Sequence, residues 1–489
     1  MRRPPHSLTS SERQVRAGFL AGEVVDLSAA AASVRAAALA DLLSRPVDRA
    51  AHPRAALRLR GATVTGPLDV AHAVVAVPVE FQDCTFDSPV DVSGADLVDL
   101  HLVRCRLPAL QARLATVRGD VSCAASEVGG ALDLRDTRVG GDLDLSEARL
   151  HNPGGNALAA ARLTVGGSLR GYGLHAAGEL WLGGAQIGGN LLLDGATLTN
   201  PDGRAIGADR LCVGGNLRAG GGFTADGDLL LIHSEIGGQV RFVDATVRSP
   251  DRWALHLGGT TAGSLWMCFR TPPDGRVRLS GLKVDTLFDD PRVWPERLDL
   301  VGCTYRLLIP RTFDDGADDP GRLATVDVRQ RLDWLRRSPD GYAPQPYEQL
   351  ASAYRAAGQD TEARRVLLEQ HRRRRATQHW PGRLAGYLLD ALVGYGYRTW
   401  LAALWLLACW VLGTLAFTVW PPDARTPADS PDWNPALYAL DLLLPIIDLG
   451  HDSAWHATGS TQYVAATLII MGWVLTTAVV ASLSRLLNR

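Results

Sequence analysis

The sequence predicts a β-solenoid, a parallel β-helix with coils of about 22 residues, followed by an α-helical segment and a two-helix transmembrane region. Three observations carry that expectation. Glycine pairs preceded by a β-branched residue recur as Val128-Gly129-Gly130, Val139-Gly140-Gly141, Val165-Gly166-Gly167, Ile187-Gly188-Gly189, Val213-Gly214-Gly215 and Ile236-Gly237-Gly238. Strand-like apolar triplets open at Val121, Leu132, Leu143, Leu169, Leu180, Leu191, Leu217, Leu229, Val240 and Leu265, in steps of 11, 11, 26, 11, 11, 26, 12, 11 and 25 residues. Two apolar runs without a charge, 399–420 and 463–484, lie near the C-terminus.

A solenoid leaves unpaired strand edges at its ends, so residues 1–55 are expected to form a helical cap. A short helix fits Ser11 to Leu20, and a second fits 28–44 with Ser28 as N-cap and Leu39, Leu42 and Leu43 on one face. The solenoid itself spans 56–308. Leu-x-Leu triplets put two apolar side chains on one face of a strand, and the glycine pairs are expected to supply positive-φ corners. A step of 11 residues is too short for a helix pair, whereas two such steps make one coil. The long steps equal two short ones plus an insert, marked by HNPGG at His151, NPDG at Asn200 and SPDR at Ser249, one every 48 or 49 residues. The pattern extends upstream through Leu57-Arg58-Leu59, Leu68-Asp69-Val70 and Val90-Asp91-Val92, and downstream through Val277-Arg278-Leu279 and Leu298-Asp299-Leu300. About 11 coils follow, a stack of roughly 50 Å.

Residues 309–380 change to a helical period. Val328, Leu332 and Leu335 share one face, and 346–375 forms a helical hairpin broken at Gly358-Gln359-Asp360. Residues 381–489 read as the membrane region. The basic run His371-Arg372-Arg373-Arg374-Arg375 precedes an amphipathic stretch, 381–397, suited to an interface. Transmembrane helices are expected at 399–420 and 463–484. Arginines flank both on one side, while the intervening loop carries Arg425 against Asp423, Asp429, Asp432, Asp441, Asp448 and Asp452. Both termini are therefore expected in the cytoplasm, with the chain multi-pass in the cell membrane. Segment 436–449 is too short to cross, is broken by Pro445, and resembles a re-entrant helix, which makes Asp441 and Asp448 candidate pore-lining residues. The alternative is an interfacial helix. Asp448, His451, Asp452 and His456 offer carboxylate and imidazole groups of the kind that ligate a cation. The filter-like string Val393-Gly394-Tyr395-Gly396 precedes the first run and reads as a helix end.

Charge is nearly balanced, Lys+Arg 50 against Asp+Glu 52, which excludes the basic field of a nucleic-acid binder. The seven cysteines, Cys84, Cys105, Cys123, Cys212, Cys268, Cys303 and Cys409, form no CxxC pair and read as buried apolar residues in a reducing compartment. The start, MRRPPHSLTSSERQ, has no apolar stretch of a cleaved secretory signal. Walker A, HExxH, GxSxG and helix-opening GxGxxG motifs are all missing, so no catalytic, cofactor or metal residue is assigned. Asp133, Asp144, Asp194 and Asp228 read as solvated outward positions.

The order of elements, LRLRGA at Leu57, GGxLxL coils, PYEQLASAYRAAGQDTEARRVLLEQHRRRR at Pro346 and GWVLTTAVVASLSR at Gly472, resembles a family of actinobacterial membrane proteins often labelled membrane-associated oxidoreductases. The resemblance covers nearly the whole chain and implies solenoid repeats, C-terminal transmembrane helices and a redox activity. The coils also loosely resemble pentapeptide-repeat and bactofilin solenoids. The residues themselves favour a membrane-anchored cytoplasmic scaffold or binding protein, with the lipid bilayer as partner and homo-oligomers as a further expectation. A pore-loop-like channel subunit with a solenoid sensor, and the oxidoreductase of the family label, are the alternatives.

Overall fold

In Leu57-Arg58-Leu59-Arg60 the leucines are buried and the arginines exposed, and this two-residue alternation, repeated coil after coil, builds the first part of the chain. The computed structural model describes residues 8–487 except 31, 49, 313–321, 324–325, 377–398, 425–431, 445–446 and 448. It divides into two units, Met1–Gln359 and Asp360–Arg489.

The first unit is a β-solenoid of about 12 turns. Its register runs in parallel from Leu57 through Val79, Leu100, Val121, Leu143, Leu169, Leu191, Leu217, Val240, Leu265 and Leu287 to Leu308. Successive positions are thus 21 to 26 residues apart, and the longest coils carry the inserts. Two long sheets of 21 and 16 strands form the walls. Phe81, Leu102, Leu143 and Phe223 are among the side chains that fill the interior.

The glycine pairs do not make the corners. None of the six pairs that follow a valine or isoleucine, Gly129-Gly130 to Gly237-Gly238, has a positive φ. The corners instead fall at single glycines such as Gly94, Gly173 and Gly195 and at non-glycine residues, among them His72, Asp83, Arg104, Leu114, Ala125, Asp136, Glu147 and Arg162, the latter with φ between 51° and 59°. Left-handed backbone costs a non-glycine residue about 1 kcal/mol. Backbone bonds between coils offset this, such as Glu147 N–H to Tyr172 O at 2.7 Å. What the pairs provide is closeness. A Cβ on Gly166 would sit 2.2 Å from Gly140 O, on Gly188 2.3 Å from Gly166 O, and on Gly214 2.2 Å from Gly188 O. From Gly166 to Gly237, each first glycine therefore lies on the carbonyl of the glycine one coil earlier, while Gly140 lies on Arg118 O.

A polar ladder runs beside the pairs, and from Asp142 onward its members are the residues that follow them. The side chains of Asp99, Asp120, Asp142, Ser168, Asn190 and Asn216 each accept the backbone N–H of the equivalent residue in the next coil, at 2.7 to 3.0 Å. Asx turns shape the edges as well: Asp69, Asp91 and Asp144 accept the N–H two residues on.

Helix α1, Ser10–Ala21, closes the N-terminal end and starts with a Thr9/Glu12 capping box. The second expected helix is shorter than 28–44: α2 is Ala36–Leu43, and Ser28 opens only a three-residue 3₁₀ turn. Ser33–Arg35 pairs as a strand with Thr63–Thr65, because closing the open sheet edge outweighs local helix propensity. Buried Glu12 receives Arg35 Nε at 2.7 Å and Nη2 at 2.6 Å, which holds its carboxyl down at about 2.

At the other end, α3, Val328–Leu335, and α4, Gln345–Ala356, cover the last coil. Buried Asp289 accepts from Arg331 and from Trp294 Nε1, and the Arg331 guanidinium lies 5.0 Å and 5.2 Å from the Trp294 and Trp334 rings. Gln345 Nε2 donates to Cys303 O at 3.0 Å and Gln349 Nε2 to Tyr305 O at 2.5 Å, so glutamine amides satisfy the open strand edge. Five of the cysteines are buried, but Cys212 is exposed at an outward strand position and Cys409 is half-buried. Burial pushes the Cys123 and Cys303 thiols up to about 12.

The second unit contains α5, Asp360–Ala376; α6, Thr399–Val419; α7, Pro435–Leu443; α8, His451–Ala454; and α9, Thr461–Leu487. Phe417 of α6, Tyr438, Ala439, Leu442 and Leu443 of α7, and Ala465 and Leu468 of α9 form its core. Gly472 lets α9 approach α7, since a Cβ there would lie 2.2 Å from Leu443 O. The two apolar runs are thus helical. Side chains are described from 403 in α6 and to 477 in α9; among the described residues no helix is long and apolar enough to cross a membrane. Within 436–449 the helix ends at Leu443, and Asn434 caps its start through Ala436 N and Leu437 N. The amphipathic stretch 381–397 and the string Val393–Gly396 lie outside the described residues.

Candidate functional site

The three inserts lie on one sheet, in the 11-residue strands Arg149–Ala159, Thr197–Gly207 and Thr246–His256. Asn152 Nδ2 donates to Asn156 O at 2.8 Å and Asn200 Nδ2 to Arg204 O at 2.7 Å, closing the first two. In the third, the Asp228 carboxylate takes Ser249 Oγ at 2.5 Å, Arg252 Nη2 at 2.8 Å and Trp253 N at 3.3 Å. Each insert rests on a glycine of the next coil: Gly178, Gly227 and Gly275, with φ of 122°, 130° and 134°. A Cβ at these positions would meet Asn152 O, Asn200 O or Ser249 O at 2.4 to 2.5 Å. Both backbone and space thus demand glycine.

Between and beyond the inserts, one outward row reads Ala159, Trp181, Gly207, Leu230, His256, Arg278. Trp181 lies flat along this row. Cβ atoms on Gly183 and Gly207 would lie 2.7 Å from its Cζ2 and 2.6 Å from its Cε3, so two missing side chains make room for the indole. Glu179 stands beside it, and Arg204 is 3.8 Å from Glu179 Oε1 and 5.7 Å from the Trp181 centroid. Asp209 is tied to the same coil, accepting Gly184 N–H through its backbone at 2.8 Å. Glu179 Oε1 and Asp209 Oδ1 are buried without a hydrogen-bond partner. Burial raises the Glu179 carboxyl, opposed by Arg204 and reinforced by Asp209.

Further along, Trp253 is closed off. Arg278 lies 4.4 Å from its centroid and His256 meets it edge-on at 5.2 Å. Gly258 N donates to His256 Nδ1 at 3.1 Å, which fixes the neutral tautomer with hydrogen on Nε2, and burial, then Arg278, lowers its pKa.

The residues singled out in sequence stand elsewhere. Asp133 and Asp228 are not solvated: both are buried, Asp133 against Arg135 at 2.5 Å and Asp228 under the third insert. Asp144 makes its Asx turn and Asp194 pairs with Arg218 at 3.1 Å. Buried Asp441 accepts Leu449 N at 2.7 Å and both His451 N and Asp452 N at 2.8 Å, so its carboxylate folds the segment after α7. Asp448 lies outside the described residues. Among the described residues no group of histidine, cysteine and carboxylate side chains could hold a metal, and His456 instead joins an antiparallel bridge to Asp423. Trp181, Glu179 and Asp209 were missed. The available signal was a tryptophan followed by Gly183-Gly184, in a row where the next coil has Gly207.

Fold and surface together define a β-solenoid suited to a scaffold or binding role, with no catalytic site evident among the described residues. No protein-family model matches the chain, and no curated protein or solved structure shows significant similarity to it. The resemblance to membrane-associated oxidoreductases therefore gains no support, and no family is assigned.

Proposed function

We propose that the chain is a membrane-tethered binding scaffold: α6 and α9 hold it in a lipid bilayer, and the insert-bearing face of the solenoid binds a partner from the cytoplasmic side. The observation that carries this reading is the apolar surface of α6. Leu407, Leu412, Leu415 and Val419 are between 53 % and 66 % exposed, and on α9 Ile470 and Trp473 are 62 % and 55 % exposed. Such a patch is rare on a soluble protein and natural against lipid. The backbone lengths agree: α6 has 21 residues and α9 has 27, about 31 Å and 40 Å at 1.5 Å per residue, against a hydrocarbon core of ~30 Å. Arginines beyond the outer ends favour a cytoplasmic solenoid. Alkaline carbonate extraction of membranes from cells expressing the full chain tests the tether. Retention in the pellet, with release by detergent, is expected; release by carbonate alone refutes it.

A further inference from the structure

A concentrated positive charge lies in α5 against a balanced background. Residues 364–376 hold Arg364, Arg365, Arg372, Arg373, Arg374 and Arg375 against a single acid, Glu369, while the whole chain has Lys+Arg 50 against Asp+Glu 52. Along the helix Ala363, Val366, Leu367, Leu368 and Gln370 are buried, whereas Arg364, Arg365 and Arg374 are exposed and Arg372 is half-buried. Arg364 and Arg365 stand two turns before Arg372, so the three share one side of the helix. Arg373 Nε meets Glu369 at 3.4 Å. Past Ala376, residues 377–398 lead to Thr399 at the start of α6, a link that reaches at most ~75 Å even when fully extended.

We infer that the arginine side of α5 docks on an anionic lipid leaflet, its guanidinium groups taking lipid phosphates. The inference deepens the tether reading above and rests on it. A guanidinium stays charged at every working pH, and its paired N–H groups match the oxygens of a phosphodiester. Each arginine held at an anionic surface strengthens binding about fivefold. The link to α6 keeps that surface within reach, so even weak contacts are populated. The half-charge at a helix C-terminus is met by one basic side chain, and four in a row exceed it. A protein partner would need an apolar anchor, and Val366, Leu367 and Leu368 of α5 are buried. Single-stranded nucleic acid would need stacking platforms, and residues 360–376 contain no phenylalanine, tyrosine or tryptophan. A headgroup layer asks for charge alone, which is what this side of the helix offers.

The test is arginine footprinting with water-soluble hydroxyphenylglyoxal, read residue by residue by mass spectrometry. The full chain is placed in nanodiscs of phosphatidylcholine alone or with ~30 % phosphatidylglycerol. Arg364, Arg365 and Arg372 should react about fivefold or more slowly when the anionic lipid is present, and ~1 M NaCl, where the Debye length is ~3 Å, should remove most of that protection. Arg149 and Arg210, exposed on the solenoid, should react alike in both discs. The variant Arg364→Gln/Arg365→Gln/Arg372→Gln should carry about threefold less phosphatidylglycerol per chain through purification than the unmodified chain. Equal rates in the two kinds of disc overturn the docking, as does protection that survives ~1 M NaCl. The same protection in phosphatidylcholine discs from ~10 mM inorganic phosphate or from single-stranded RNA assigns these arginines to a soluble anion or to nucleic acid and overturns it as well. Carbonate extraction reads the tether separately: a chain retained in the pellet but with equal rates in the discs loses the docking alone, whereas release by carbonate removes both.

Discussion

Replacing Gly188 with alanine tests whether the glycine pairs serve stacking. The new Cβ would lie 2.3 Å from Gly166 O, and ordinary contact begins near 3.4 Å, so two backbone segments must part by about 1.1 Å. That movement would stretch Gly188 N–H to Val165 O, now 2.8 Å, and Gly189 N–H to Gly167 O, now 2.7 Å, past hydrogen-bond range. Two bonds at ~1 kcal/mol each and overpacking of ~1–3 kcal/mol give about 4 kcal/mol. Gly195 is the control. Its φ is +70° and the nearest atom to a new Cβ, Gly221 O, is 3.6 Å away, so Gly195→Ala meets left-handed strain alone, about 1 kcal/mol. For a solenoid of this size ~1 kcal/mol moves Tm by roughly 2–4 °C. Thermal unfolding followed in the β-sheet circular dichroism band should fall by roughly 12 °C for Gly188→Ala and roughly 3 °C for Gly195→Ala. A Gly195→Ala drop equal to or larger than that of Gly188→Ala would refute the stacking argument.

Three further outcomes follow from the caps and the second unit. The Glu12 carboxyl, held at about 2 against an ordinary 4.5, stabilises the N-terminal cap above pH 4.5 and loses that contribution as pH falls towards 2. Glu12→Gln should remove about 2 kcal/mol at neutral pH and flatten that acid dependence, read by hydrogen exchange over residues 10–45. Asp289→Asn or Arg331→Met alone leaves a buried charge unpaired and should cost about 3–5 kcal/mol in denaturant unfolding, whereas the double variant should recover most of it. Asp441→Ala deprives three backbone N–H groups of their acceptor, about 3 kcal/mol locally, and should open residues 444–456 to limited proteolysis while 57–308 stays resistant.

Much of the fold was legible because strand alternation and repeat length act locally. Leu143 and Leu145 declare an inside face by themselves, and the inserts at His151, Asn200 and Ser249 announce their own period. The glycine pairs misled because sequence writes two different demands with one letter: positive φ and close approach both select glycine, and only coordinates separate Gly188 from Gly195. The corners were hidden for the converse reason. Leu114 and Arg162 adopt left-handed backbone because bonds between coils outweigh their preference. Strand Ser33–Arg35 read as helix because its partner, Thr63–Thr65, is remote in sequence. The candidate site was less visible. Trp181, Gly183, Gly207 and Asp209 become one surface only when the register sets neighbouring coils side by side.

Spin labels on the α6 surface test the tether most directly. With a label at Leu412→Cys in the full chain, reconstituted in bilayer vesicles, collision rates with oxygen and with a water-soluble nickel chelate report the surroundings of a side chain now 66 % exposed. The lipid tether predicts strong relaxation by oxygen and little by nickel; dominant relaxation by nickel would place that face in water and contradict it.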